Sequence, residues 1–543
     1  MFTGTTSEAC PRVINKQFGG FRHIGRERSA SLMGMLVRCL LLLISLWAVV
    51  ECTNPGFKAR ITLKGLSYAN DVAMAALKKG AEMITFPDMS GQSGKFKYSV
   101  KNVRLTSFTP PTGAFTPLPG QGLQWTGSGA SIRVDGDFSY KAFFVKGSGS
   151  FTASVSAVSF GIAINIGADK DGRPRMQSAK CTCSVGGVDI KFHGGMSWLY
   201  NLLKGKVENA VKKSLPPQIC KLVNKSIDQD GEKKLASLPV SIKIDKYLLD
   251  YRLTGTPNFT TQYLETYHKG EFLWGSAPVE SPLSPPALPT TAAADRMVYL
   301  WVSDYTFNTL ATVSHRHGIL KFNVTAADLP ASTRGVLNTT CDGFIPKCVG
   351  GLIPAIGKEY PNSLVDLRLA STAAPRLSIT SAGLTLKASG TVELYERRPG
   401  AAAVGAFLLS LDATLTTTLD ASVTKDVLHG KVHQLSFNLK TKRSDVGPVG
   451  DEFMDFLIKE ALNVYLIPKI NGYGTRGLPL PTTDEFNLTN STIQYFQNAV
   501  MIATDLTYTP HVQVASPEVA DGNALKYVPA SGRSDKNIAI YTL

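Results

Sequence analysis

The hydrophobic period of the chain changes several times. Val158, Phe160, Ile162, Ile164 and Ile166 occupy alternate positions, as do Leu411, Ala413, Leu415, Thr417, Leu419, Ala421 and Val423. Period two sustained this long predicts strands with one buried face. Elsewhere apolar residues recur at helical spacing. Leu66, Ala69, Ala73, Leu77, Ala81 and Ile84 mark one helix, and Trp198, Leu199, Leu202, Leu203, Val207, Val211 and Leu215 mark another that Pro216-Pro217 should end. The second half repeats this plan: Ser303-Asp304 caps a helix carrying Phe307, Leu310, Ala311 and Val313 up to Gly318, and Phe453, Phe456, Leu457, Ala461, Val464 and Ile467 form a later one. Long strands with one apolar face need a cover, and two helices per half supply it if a twisted antiparallel sheet curls around them. The expected class is α+β, with two similar domains. Packing density favours an interior filled by side chains over an apolar cavity, although periodicity does not separate the two.

Between the halves stands SAPVESPLSPPALPTT, with Pro278, Pro282, Pro285, Pro286 and Pro289. Proline fixes φ and withholds its amide, so this stretch is an extended, polyproline-like linker that cannot enter a sheet interior. The boundaries that follow are an N-terminal domain over 53–275, a linker over 276–292, a C-terminal domain over 293–512 and a polar tail over 513–543. In front, Arg38 precedes an apolar run from Cys39 to Val50, shorter than the roughly 18 to 20 residues a membrane span needs. It reads as a secretory signal over about 33–52, beginning at Met33 or Met35 and cleaved near Cys52. Residues 1–52 are then a presequence, with 1–32 an extension ahead of the true start, and the product is secreted and extracellular.

Charge distinguishes the halves. Of the formal net charge of +15, residues 53–280 carry about +12 and residues 281–543 about zero, which points the first half toward an anionic partner. Of the eight cysteines, Cys10, Cys39 and Cys52 fall in the presequence, leaving Cys181, Cys183, Cys220, Cys341 and Cys348, so an oxidising compartment leaves one thiol over. Asn224, Asn258, Asn323, Asn338, Asn487 and Asn490 sit in N-x-S/T glycosylation sequons. Catalysis finds no support: the chain lacks GxSxG, HExxH and GxxxxGK[ST], and SGQSGK lacks the first glycine and final hydroxyl of a phosphate loop. His315 with His317, or His429 with His433, gives two metal ligands without a third, and His193 reads as structural, so neither an enzyme nor a metal site is expected.

Four segments carry a resemblance. NPGFKARITLKGLSYAND, FHGGMSWLYNLLKGKVENAVKKSLPPQIC, the proline-rich linker running into DRMVYLWVSDYTFNTL, and GLPLPTTDEFNLTNSTIQY together resemble the bactericidal permeability-increasing protein and lipopolysaccharide-binding protein family, in its invertebrate form, across roughly residues 53–510. The resemblance implies a boomerang of two barrels joined by a central sheet. It implies a phospholipid in an apolar pocket of each barrel, with no other cofactor, and recognition of lipopolysaccharide through lipid A phosphates at the basic tip of the N-terminal barrel.

Carried over by position, the lipopolysaccharide-binding candidates are Lys78, Lys79, Lys95, Lys97, Arg133, Lys141 and Lys146. Asp135, Asp137 and Ser139 interrupt the last basic loop, while Phe138, Tyr140, Phe143 and Phe144 either insert among acyl chains or pack in the sheet. Pocket candidates are Val72, Ala76, Leu199, Leu202 and Leu203 in one half and Phe307, Leu310, Phe453 and Leu457 in the other; a filled core would use the same residues. The family disulfide implies Cys220 joined to Cys181 or Cys183, which point to one face of a strand, and Cys341 with Cys348 would form a local bridge. The implied partners are lipopolysaccharide, phospholipid and the bacterial outer-membrane surface, with no nucleic acid, for a monomeric, secreted innate-immunity protein active against Gram-negative bacteria. The alternative is a lipid-transfer protein carrying phospholipid or sterol ester. The charge asymmetry favours the first, because a neutral-lipid shuttle gains nothing from anionic attraction.

Overall fold

The computed structural model describes residues 54–509 except 83–87, 195–196, 342–346, 404 and 484; the presequence and the tail fall outside the described residues. The first half runs β1 (Phe57–Thr62), α1 (Leu63–Glu82), β2 (Met89–Ser93), β3 (Phe96–Thr109), β4 (Thr112–Leu118), β5 (Gly122–Ala142), β6 (Val145–Ala168), β7 (Pro174–His193), α2 (Ser197–Lys225), a π turn (Ser226–Gly231) and α3 (Glu232–Ala236). Five short strands close it: β8 (Ser241–Ile244), β9 (Tyr247–Asp250), β10 (Asn258–Phe259), β11 (Tyr263–His268) and β12 (Glu271–Trp274). The second half opens with β13 (Val298–Ser303), α4 (Asp304–Arg316) and β14 (Lys321–Val324), followed by α5 (Val349–Leu352) and α6 (Pro354–Glu359). Then come β15 (Leu364–Ser371), β16 (Arg376–Thr380), β17 (Gly383–Arg397), β18 (Phe407–Thr424) and β19 (Val427–Ser444). The chain ends with α7 (Asp451–Leu457), a π turn (Ile458–Leu462), α8 (Asn463–Arg476), β20 (Leu478–Pro479), β21 (Phe486–Phe496) and β22 (Ala499–Tyr508).

Each half contains one long antiparallel sheet. In the first the order is β2-β3-β5-β6-β7 with β4 on β5, and in the second β14-β15-β17-β18-β19-β20 with β16 on β17. Each curls into a half barrel around its helices, as the alternating patterns of β6 and β18 predict. Between them lies a six-stranded sheet, β10-β11-β1-β13-β22-β21, three strands from each half. Two barrels on a shared sheet make the boomerang. The duplication extends to irregularities, since the late helix of each half is interrupted by a π turn. No helix among the described residues is long and apolar enough to cross a membrane.

The start of α4 follows the sequence closely. Ser303 Oγ accepts the Tyr305 amide, and Gly318 at φ +66° closes the helix. The end of α2 does not. The helix continues through Pro216 and Pro217 to Lys225, although proline within a helix costs about 3 kcal/mol. Beyond the prolines, buried Val223, buried Ile227 and the disulfide at Cys220 hold the downstream turns on the sheet. In α1 the buried stripe is Leu66, Asn70, Met74 and Leu77, and Ala69 is exposed. The polar member is satisfied: the Trp125 indole donates to Asn70 Oδ1 at 3.1 Å.

The proline-rich segment lies on the outer face of the central sheet, and β1 shows why. Its odd residues Phe57, Ala59 and Ile61 enter the inner cluster with Val298, Leu300, Val302, Val500 and Ile502. Its even residues donate outward to carbonyls of the linker and of the residues just after it: Lys58 to Pro289 at 3.1 Å, Arg60 to Thr291 at 2.6 Å, and Thr62 to Arg296 at 2.7 Å. An extended segment without ladder partners leaves carbonyls to satisfy, and these side chains do it. Lys58 also sits 4.1 Å from the Trp301 ring and pairs with Glu265 at 3.4 Å; burial holds its ammonium pKa below the usual value. Leu288 and Ala293 of the segment pack with Tyr299 and Trp301. The run Val298-Tyr299-Leu300-Trp301-Val302 is therefore apolar at every position because β13 is buried on both faces.

Candidate anion-binding tip

The far end of the first half barrel is formed by the β2–β3 and β5–β6 turns. Strand register places Lys97 opposite Lys141, and Lys141 opposite Lys146. Three ammonium groups thus stand in a row across β3, β5 and β6, on strands about 4.8 Å apart. Two residues further in, Ser99, Ser139 and Ser148 form a parallel row. Together these residues line a shallow open depression of about 540 Å³. Like charges directly opposed across strands are destabilising. None of Lys95, Lys97, Lys141 and Lys146 has a carboxylate partner among the described residues, so an incoming anion would relieve that repulsion.

The residues that interrupt the basic loop lie further along the sheet. Asp137 stands opposite Lys101 and accepts from the Asn102 amide at 2.8 Å, and Asp135 stands opposite Arg104. Each neighbours a cation, leaving the tip row uncompensated. The four aromatic residues divide. Phe138 and Tyr140 are buried on the inner face with Val100, Phe151 and Ile190, whereas Phe143 and Phe144 are 66% and 99% exposed in the turn. Lys95 Nζ lies 5.3 Å from the Phe143 ring centroid. The tip therefore presents an apolar point ringed by ammonium groups.

The remaining lysines and arginine do not join the row. Lys78 and Lys79 are exposed at the end of α1, sharing no register with it, and Lys79 complements the carboxyl end of the helix dipole. Arg133 is exposed opposite Ser107 and Ser154, eight residues along β5 from Lys141. The serine row was missed by sequence reasoning. The i, i+2 spacing of Lys97 with Ser99, Ser139 with Lys141, and Lys146 with Ser148 puts each pair on one strand face, but which strands are neighbours is a matter of topology.

Family models for the LBP / BPI / CETP family match both halves: the N-terminal domain over residues 65–230 and the C-terminal domain over residues 242–508. The chain is 30% identical over 482 residues to a bactericidal permeability-increasing protein of Sebastes schlegelii, covering 88% of this chain and all of the relative. It is 29% identical over 487 residues to the lipopolysaccharide-binding protein of Homo sapiens, covering 88% of this chain and 99% of the relative. A crystal structure of lipopolysaccharide binding protein superposes with a TM-score of 0.61 at 28% identity, covering 84% of this chain and 100% of the other. The chain belongs to the LBP / BPI / CETP family.

In this family member the disulfide choice is resolved. Cys181 bonds Cys220, with a Cα separation of 5.8 Å, and Cys341 bonds Cys348. Cys183 is free and half-buried in a cluster with Val211, Leu215 and Ile219 of α2, and burial raises its thiol pKa. The apolar candidates are dispersed. Val72 is half-buried and Ala76 exposed, while the side chains of Leu199, Leu202 and Leu203 lie outside the described residues. Phe307 and Leu310 pack against the central-sheet cluster, whereas Phe453 and Leu457 are buried in the separate core of the second half barrel. Among the sequon asparagines, Asn258, Asn323, Asn487 and Asn490 are exposed, and Asn224 and Asn338 are half-buried.

Proposed function

We propose that this protein is a secreted lipid-binding protein of innate immunity whose N-terminal tip takes the phosphorylated, acylated end of bacterial lipopolysaccharide. The observation that carries this reading is the uncompensated row Lys97, Lys141 and Lys146, with Lys95, beside the exposed Phe143-Phe144 point. Lipid A offers the complement: phosphates for the ammonium groups, sugar hydroxyls for the serine row, and acyl chains for the aromatic rings. Relatives over nearly their whole length are named for bactericidal and lipopolysaccharide-binding activity, which supports the same class. The role is binding rather than catalysis, and the protein acts as a monomer, without nucleic acid, at the bacterial outer-membrane surface. Phospholipid occupies the apolar interior of the half barrels, since acyl burial is worth about 0.8 kcal/mol per methylene.

Two measurements test this. Vesicles containing lipid A should bind the full chain tightly at low salt and several-fold more weakly at physiological salt; binding indifferent to salt would refute the tip assignment. Lipid extraction and mass spectrometry of the purified protein should find phospholipid. The competing reading, a carrier of phospholipid or sterol ester between particles, is favoured if neutral-lipid particles bind as well as those containing lipid A.

A further inference from the structure

The central sheet ends on two edges of unequal length. Strand β10 has two residues, which blunts that edge, but β21 has eleven and pairs only with β22 among the described residues. A long strand paired on one side is a template for a strand of another chain. The Leu488 amide of this strand donates to the Asp426 carboxylate from the β18–β19 turn. Beyond it the strand bulges: Thr489 pairs with Asp505 and Thr492 with Ala503, so Asn490 and Ser491 face Thr504 alone. Asn490 adopts φ +53°, a left-handed conformation that asparagine tolerates, and its side chain is exposed. A bulge disturbs an edge without covering it.

Two sequons stand here back to back, Asn487-Leu488-Thr489 and Asn490-Ser491-Thr492, and a third, Asn258-Phe259-Thr260, stands on β10. Their placement is related through the sheet. One cross-strand row runs Asn258, Glu265, Arg60, Tyr299, Ala503, Thr492. It begins at a sequon asparagine on one rim and ends at the hydroxyl residue of a sequon on the other. The row crosses the face on which the proline-rich segment lies.

We propose that N-linked oligosaccharides at Asn258 and at Asn487 or Asn490 flank this face, and that the glycan on β21 closes its edge against strand addition. The inference rests on the secretory reading, because these sequons are used only in that pathway. The transfer joins asparagine Nδ2 to the anomeric carbon of an oligosaccharide carried on a lipid diphosphate, the donor of the secretory pathway. The anomeric carbon–oxygen bond breaks, and the diphosphate and one amide proton leave. Asn224 and Asn338 stay bare. The first lies within α2 with its Oδ1 enclosed, and the second has its carbonyl bonded to the Gly350 amide beside fully buried Thr339. Asn323, exposed on β14 away from the central sheet, is an internal reference.

The full chain is expressed in cultured eukaryotic cells and collected from the medium, and glycans are released enzymatically in water labelled with heavy oxygen before peptide mapping. Labelled aspartate is expected at position 258 and at 487 or 490. The variant Asn258→Gln/Asn487→Gln/Asn490→Gln should lose monomer to larger species on size exclusion, whereas Asn323→Gln should not. Releasing glycans from the folded parent protein should produce the same loss, which covers a triple variant that fails to fold. Secreted protein glycosylated at Asn323 but bare at both rims overturns the inference alone, as does deglycosylated protein that remains monomeric. A chain that never reaches the medium and carries no glycan overturns the secretory reading and this inference with it.

Discussion

The far ends of the two half barrels share a plan and differ in how their charges are balanced. At the first, four lysines surround an exposed aromatic turn with no carboxylate partner among the described residues. At the second, Lys347 pairs with Glu452 at 2.8 Å, Arg398 with Glu396 at 3.8 Å, Lys442 with Asp412 at 3.4 Å and Arg443 with Asp445 at 2.7 Å. Both ends are rich in cations. Among the described residues the four lysines of the first end have no carboxylate partner and these four cations of the second do, so on the proposed function neutralising partners, more than the number of basic residues, would distinguish the two surfaces.

The halves also differ in their covalent bridges, and the largest expected effect lies there. Cys181–Cys220 closes a sequence separation of 39, against 7 for Cys341–Cys348. In the loop-entropy model these contribute about 4 and about 2.5 kcal/mol. Denaturant unfolding of the two double-alanine variants should show the first losing more; equal losses would mean that the bridge does not act through chain entropy. Acid should next loosen the seam between the halves. His268 in β11 is half-buried, its Nδ1 donating to the Tyr251 carbonyl and its Nε2 accepting from Thr266, and desolvation among the packed strands lowers its pKa from 6.5 to about 4. Between those values the unfolded chain holds the extra proton. Stability therefore falls as pH drops through that window, by up to about 3 kcal/mol, and is fully present above pH 6.5. A His268→Gln variant should show a flatter profile when melting is followed from pH 7 to pH 4; an unchanged slope would place the acid sensitivity elsewhere.

Binding effects are smaller. Replacing Lys95, Lys97, Lys141 and Lys146 together by glutamine should weaken lipid A vesicle binding about tenfold, or about 1.4 kcal/mol, at physiological salt. Replacing Lys347, Arg398, Lys442 and Arg443 should leave binding unchanged, and equal losses would erase the contrast between the ends. The smallest effect on stability belongs to Phe143→Ser/Phe144→Ser. These exposed rings cover little, so the melting temperature should hold while retention on the vesicles falls. A melting temperature that drops with them would make the turn structural.

What the sequence revealed depended on range. The start of α4 at Ser303, its end at Gly318 and the long strands β6 and β18 rest on neighbours a few residues apart, and they were legible. The basic residues of the tip were named from family resemblance. Their sorting into a row of three, with Arg133 and the end of α1 left out, needed the register of β3, β5 and β6. The partner of Cys220 stayed open because residues two apart on a strand share a face, and the position of α2 decides between them. Reading Pro216-Pro217 as a stop was wrong for a similar reason: local propensity is outweighed by packing at Val223 and the bridge at Cys220, which no local pattern shows. Nor could periodicity reveal that Lys58 and Arg60 satisfy carbonyls 231 residues later.

That last contact has a consequence for descent. The two halves look like copies that could drift apart, each selected for its own task, yet β1 and the proline-rich segment couple them. Arg60 holds Thr291 while its guanidinium lies over the Tyr263 ring, and Lys58 holds Pro289 over Trp301. A change at any of these positions leaves a buried cation or a carbonyl without its partner unless another changes with it. Across lineages, Lys58, Arg60, Glu265 and Trp301 should therefore vary together or not at all, while the two ends remain free to diversify.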